Sequence, residues 1–159
     1  MSMVGFEDWQ ALHQLHADHA ATLDHGDLAR WPDHYTEDAV YRLQSRENFD
    51  RGLPLAIMAY ESRGMLRDRV VGVVDTIYHD PYSQCHIVGL PRITAVAGDA
   101  VETETPLLVL RTKRDAMPET LLVGRSIDRV VRTPEGWRFA SRVVVYDNDL
   151  IPNSIIDPV

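Results

Sequence analysis

Seven histidines in 159 residues are the first chemistry this chain offers. His13, His16 and His19 recur at helical spacing, and an i, i+3 pair such as His16 and His19 on one helix face can supply two ligands of a metal site. The nearest carboxylate, Asp18, lies about 100° around the helix from His19. With no third ligand in view, the three histidines are expected to line a helix–sheet seam or a subunit contact. A second constellation, His16, Tyr35, Tyr41, Asp68 and Asp147, holds the residue types of an acid–base pocket, because a histidine near its ordinary pKa can move protons at neutral pH. Each of the five also has a simpler role in capping, pairing or packing, and Asp68, set between Arg67 and Arg69, suits an ion-pair network. His79-Asp80 imitates part of a two-histidine, one-carboxylate iron site, but adjacent residues ahead of Pro81 read as a turn. Cys85-His86 has no distant partner of the right kind, so Cys85 reads as a buried or interface thiol. The expectation is no catalytic, cofactor-binding or metal residue in this chain, with the five-residue pocket as the alternative.

The elements that must position these side chains follow from periodicity. Phe6, Trp9, Leu12, His16, Ala20 and Leu23 form one stripe of an amphipathic helix closed by Gly26. A short helix over Leu28 to Tyr35 carries Pro32, which kinks it or shifts its start. Ala39 to Gln44 alternates as a strand, with a second extended piece through Asn48 to Arg51. Pro54 suits the first position of a helix running to about Val74, with Ile57, Met58, Met65, Leu66, Val70 and Val73 facing the core. The second half turns to strand periodicity: Ile87 to Val96, Val101 to Lys113, Thr120 to Arg132 and Trp137 to Tyr146. Gly98-Asp99 suits a tight hairpin and Thr133-Pro-Glu-Gly136 a type I turn. In the last strand Trp137, Phe139, Val143 and Val145 are expected on the core face.

Composition sets the class. The chain has the size of one domain, residues 1–159, with 45% apolar and 25% charged residues. A net charge of −8 disfavours nucleic acid, where affinity begins with Lys and Arg on phosphates. One cysteine permits no internal disulfide and is too few for an iron–sulfur cluster. No apolar stretch approaches the ~20 residues of a membrane span, and the N-terminal residues show no secretion signal, so no membrane association and a cytoplasmic location are expected.

Helices followed by a strand meander give an α+β domain in which about three helices cover one face of a curved, mostly antiparallel sheet. Their order resembles the nuclear-transport-factor-two-like, or cystatin-like, cone. Four blocks go further: Leu23 to Trp31 running into Tyr35 to Tyr41, Met65 to Val70, His86 to Gly89, and Trp137 to Asp147. In order and spacing they resemble the beta (small) subunits of bacterial aromatic-ring-hydroxylating oxygenases. Trp31-Pro32, Tyr41 to Phe49 and Ile151 to Pro158 look most like the small subunit of salicylate 5-hydroxylase. The resemblance implies a large alpha subunit carrying a Rieske [2Fe–2S] cluster and a mononuclear iron, assembled as three alpha and three beta subunits. It also implies ferredoxin and reductase components upstream, a salicylate- or benzoate-like substrate, and a beta chain that trimerises and is non-catalytic. A stand-alone cone-fold dehydratase or isomerase, or a small-ligand binding module, is the rival.

The last residues, Asp147 to Val159, carry Ile151, Ile155, Ile156 and Val159 and are too apolar for a free end. They are expected to dock on a neighbouring subunit at a trimer interface, or else to cover an edge of the chain's own sheet.

Overall fold

The computed structural model describes residues 4–151 and 154–159. Helix α1 (Phe6–Asp24) buries Leu12, Leu15, His16, His19, Ala20, Thr22 and Leu23, and Gly26, at φ 70°, takes the left-handed conformation that ends it. The inward stripe starts later than the sequence pattern suggests, for Phe6 and Trp9 are 74% and 41% exposed. Pro32 is accommodated inside a 3₁₀ helix (Leu28–His34) that drives Trp31 into the core and leads directly into strand β1 (Tyr35–Ser45).

Two expectations in the middle of the chain are corrected. The stretch around Asn48 is helical, not extended: the Ser45 hydroxyl caps the amide of Asn48 at 3.2 Å and starts α2 (Arg46–Asp50). The next helix does not start at Pro54. Met58–Tyr60 forms β2, antiparallel to β1 with Tyr60 opposite Tyr41, and α3 (Arg63–Val71) starts where Ser62 caps the amide of Met65 at 3.2 Å. The chain after Pro54 instead turns back to β1, the Ile57 amide donating to the Leu43 carbonyl at 2.8 Å, and the capping side chain stands eight residues after the proline. A π-helical turn (Gly72–Thr76) then brings Val73 into the core.

The stretch expected as one strand from Ile87 to Val96 is two, β3 (Tyr82–Val88) and β4 (Arg92–Ala97). Pro91 has no N–H to donate to a ladder, and Gly89 turns against Pro106, its amide donating to the Pro106 carbonyl at 2.9 Å. Both pieces pair with β5 (Ala100–Lys113), β4 along its first half and β3 along its second. With β6 (Glu119–Thr133) and β7 (Gly136–Tyr146) the sheet runs β2-β1-β7-β6-β5-β3, antiparallel except for β1 beside β7. Gly98, at φ 59°, closes the β4–β5 hairpin as expected. The helices pack on this curved, unclosed sheet.

A bulge decides what faces inward. Val130 pairs with Phe139 but Arg129 pairs with Ser141, so Ala140 is an extra residue in β7. Trp137 and Phe139 point into the core; after the bulge the inward positions pass to Arg142 and Val144, and Val143 is left half-buried. Val145 is buried as well, but outside the core cluster, against the backbone near Gly124. A Cβ at Gly124 would stand 2.0 Å from the Val145 carbonyl oxygen. Gly124→Ala is therefore expected to cost about 1–3 kcal/mol, the usual penalty of overpacking, read as a lower urea midpoint; an unchanged midpoint would show that β6 and β7 separate there without loss.

Candidate functional site

The concave face of the sheet and the inner face of α1 enclose a filled interior. Trp31, Tyr35, Tyr41 and Phe139 are each at most 1% exposed and meet mostly edge to face, with Trp31 and Tyr41 centroids 5.3 Å apart at 89° and Trp31 and Tyr35 5.8 Å apart at 76°. His16 and His19 put their edges against Phe139 at 5.2 and 5.5 Å.

Polar groups thread this interior. Arg142 of β7 lies opposite Asp128 of β6 and contacts its carboxylate oxygens at 3.1 and 3.2 Å, while the Ser126 hydroxyl donates to the same carboxylate at 2.7 Å. The Arg142 guanidinium also lies over the Phe139 ring, 4.9 Å from its centroid. Burial pushes the Asp128 carboxyl above its usual value, against the pull of Arg142 and Ser126. Burial first, and the Arg142 charge second, hold both His16 and His19 well below the ordinary imidazole range. Hydrogen bonding agrees for His19: the Trp31 indole, which can only donate, reaches its Nε2 at 3.2 Å, and the Tyr35 hydroxyl meets the same atom at 2.9 Å. That nitrogen must therefore carry its lone pair, leaving the ring neutral with the proton on Nδ1. Burial drives Tyr35 well above the usual phenol value and Tyr41 to about 12, so neither phenol ionises near neutrality.

Of the five pocket residues expected from sequence, three converge and two do not. His16, Tyr35 and Tyr41 line the interior. Asp68 is exposed on α3, and Asp147 lies outside beyond β7, paired with Arg46 at 2.7 Å. The acid that does face His16 is Asp128, with 3.9 Å between His16 Nδ1 and its carboxylate, longer than the hydrogen bond of an acid–base dyad. Asp128 stands among the inward positions of an alternating strand, which was the available signal, whereas Arg142 turns inward only after the Ala140 bulge and gave none. His16 and His19 do line the helix–sheet seam, and His13 packs on Trp9 with ring centroids 4.0 Å apart. His79 and Asp80 fall in the connection before β3, as a turn reading expects. Cys85 is exposed on β3 rather than buried. Its neighbour His86 turns inward, and its Nδ1 meets Asp24 of α1 at 2.6 Å, tying helix to sheet.

The mouth of the cone is closed by the chain's own last residues. The Tyr41 hydroxyl donates to the Val159 carbonyl at 2.9 Å and accepts from the Val159 amide at 3.2 Å, and Val159 and Ile155 join the core cluster. Ile155 and Val159 are thus buried within the chain, as expected if the segment folds back on its own domain, while Ile151 and Ile156 remain half-buried. Its neighbours Pro152 and Asn153 lie outside the described residues.

Comparison with known proteins agrees with this architecture. A family model described as a SnoaL-like domain matches residues 6–143. The anthranilate 1,2-dioxygenase small subunit of Burkholderia cepacia is 30% identical over 95% of this chain and 94% of its own length. A crystal structure of a beta subunit assigned to an aromatic-ring-hydroxylating dioxygenase of Novosphingobium aromaticivorans superposes with a TM-score of 0.87 at 32% identity, covering 95% of this chain and 96% of that one. The chain belongs to the small (beta) subunits of aromatic-ring-hydroxylating dioxygenases. The terephthalate 1,2-dioxygenase terminal oxygenase component subunit beta 2 of Comamonas, 28% identical over 84% of this chain and 87% of its own length, is a further relative.

Within this beta-subunit fold the Asp128–Arg142 pair has the energetics of a buried ion pair: dispensable as a pair, damaging when halved. Asp128→Asn, which strands the Arg142 charge, is expected to cost about 3–5 kcal/mol, whereas Asp128→Leu combined with Arg142→Met is expected to recover most of it. Urea midpoints of the single and double variants test this; a single variant as stable as the parent would contradict it.

Proposed function

We propose that this chain is a non-catalytic structural subunit that carries a large oxygenase subunit holding a Rieske [2Fe–2S] cluster and a mononuclear iron. Three copies of each chain form the complex in the cytoplasm, the small subunits associating as a trimer, with ferredoxin and reductase components supplying electrons. The observation that carries this reading is the filled interior: its acid is paired to an arginine, its histidines are neutral, and its mouth is closed by Val159. A chain whose ionisable core is committed to packing contributes to an enzyme through its surface.

That surface has material for contacts. Val71, Val74 and Tyr78, 54%, 66% and 100% exposed, follow one another along the end of α3, the π turn and the connection after it, an apolar run of the kind that marks protein contacts. The chemistry of the assembled enzyme is read from its relatives. By their names they are dioxygenases of anthranilate and terephthalate, both aromatic carboxylates, which supports a salicylate- or benzoate-like ring acid as substrate. The choice among such acids, and between adding one oxygen atom or two, belongs to the large subunit in this reading. The stand-alone dehydratase or isomerase, and the small-ligand module, are not favoured, because the 3.9 Å gap from His16 to Asp128 leaves no working dyad.

Co-expression with a large oxygenase subunit from the same source, purification through a tag on this chain, and mass, iron and sulfide determination test the proposal. A red complex of three plus three chains that hydroxylates salicylate or benzoate is expected, with Tyr35→Phe in this chain leaving turnover within about twofold, since the phenol touches no substrate. A chain that purifies alone, ignores the oxygenase and itself transforms a small molecule would overturn it.

A further inference from the structure

Ser154–Val159 is gripped by contacts to its main chain. Tyr41 binds both the amide and the carbonyl of Val159, the Arg69 guanidinium donates to the Ile156 carbonyl, and the Asp157 amide donates to the Tyr82 hydroxyl at 3.3 Å. Contacts of this kind do not depend on which side chains the segment carries. Tyr41, which holds Val159, stacks on Tyr60 at 6.0 Å and 16°, and Trp31 stands edge-on to Tyr60 at 6.5 Å. Val159 is fully buried and Ile155 is 6% exposed, and both belong to the core cluster with Trp31 and Tyr41, against which Tyr60 packs.

Arg69 is the unusual member. Among the described residues it has no carboxylate partner, its Nε is buried without an acceptor, and its charge is felt at both Tyr41 and Tyr60. A half-buried guanidinium satisfied by a single peptide carbonyl is poised for an anion, which it would hold by stronger, charge-assisted and bidentate hydrogen bonds.

We propose that the cone mouth filled by Ser154–Val159 is a latent binding site for a small aromatic carboxylate, with the segment as its resident competitor. The carboxylate takes the place of the Ile156 carbonyl on Arg69 and of the Val159 oxygen on the Tyr41 hydroxyl. The ring takes the places of the Val159 and Ile155 side chains, against Tyr60 and Trp31. This site rests on the assembly reading only for which acid the cell would present to it; the pocket chemistry stands on its own residues. Because the segment must leave first, the apparent dissociation constant is the intrinsic one divided by the fraction of chains that are open, and on the order of millimolar is expected for benzoate.

The test titrates the isotopically labelled full chain with benzoate, and with cyclohexylmethanol as a ring without a carboxylate, while amide signals and hydrogen exchange are followed by NMR. Saturable benzoate binding is expected, with amide exchange at Ile155, Ile156, Asp157 and Val159 at least about tenfold faster and with no response to the alcohol. Arg69→Gln should weaken binding about tenfold or more, and deletion of residues 154–159 should tighten it by a similar factor by removing the competitor. The Arg69→Gln comparison decides alone where circular dichroism shows the truncated chain unfolded. Absence of saturable binding, binding that leaves these amides protected, or affinity unchanged by Arg69→Gln would overturn the proposal. A chain that assembles with the oxygenase yet ignores benzoate sinks only this site, and one that binds benzoate yet refuses the oxygenase sinks only the assembly role.

Discussion

Asp128 and Arg142 face each other on neighbouring strands with no water-exposed route for either charge, 2% and 3% exposed. Removing two ions from water is costly unless their geometry and their remaining hydrogen bonds offset it. Ser126 and the Phe139 ring supply that offset here, and the Ala140 bulge is what turns Arg142 inward to reach them. The buried positive charge then acts on its surroundings. It adds to desolvation in keeping His16 and His19 neutral, and a neutral His19 is the acceptor that fixes the Trp31 indole and the Tyr35 hydroxyl. Those two rings anchor the 3₁₀ helix and the start of β1, so one ion pair organises α1, the 3₁₀ helix, β1, β6 and β7 together.

The functional consequence is an interior that looks like a catalytic pocket by composition and does not behave as one. Histidines, tyrosines, an aspartate and an arginine are all present, yet Asp128, Arg142, His19, Tyr35 and Tyr41 are each held by a neighbour. His86 and Asp24 show the same habit at the edge of the cone, where the carboxylate accepts both the backbone amide and the ring of His86 and fastens α1 to β3. The interior of the cone is filled with the chain's own side chains, Ile155 and Val159 among them. What remains for partners is the outer surface and, where the last segment departs, the aromatic mouth.

Much of this fold was legible in the sequence because α1, the β4–β5 hairpin and the long strands β5, β6 and β7 carry strong periodicity and turn chemistry. The misreadings have local causes. Pro54 carries a helix-start signal without a cap, whereas Ser45 and Ser62, the residues that do cap helices, look ordinary in a polar stretch. The bulge at Ala140 breaks the two-residue period, so an alternation read from Trp137 onward places Val143 where Arg142 belongs. The same limit hid the central pair. Asp128 and Arg142 are 14 residues apart on different strands and are joined only by register, which no spacing rule states. The last segment could be recognised as buried from its isoleucines, but not what it is buried against, since its contacts with Tyr41 and Arg69 run through main-chain atoms that carry no sequence signature.

The central claim, that the interior is a structural and sealed network rather than a proton-transfer site, is tested most directly by the ring nitrogens of His16 and His19. Nitrogen NMR of selectively labelled protein from pH 8 down to about 5 should show both rings neutral throughout, with the His19 proton on Nδ1, while a free imidazole reference titrates at its ordinary value of about 6.5. Rings that titrate with the reference would place them in contact with water, contradict the network, and return the cone to the list of candidate active sites.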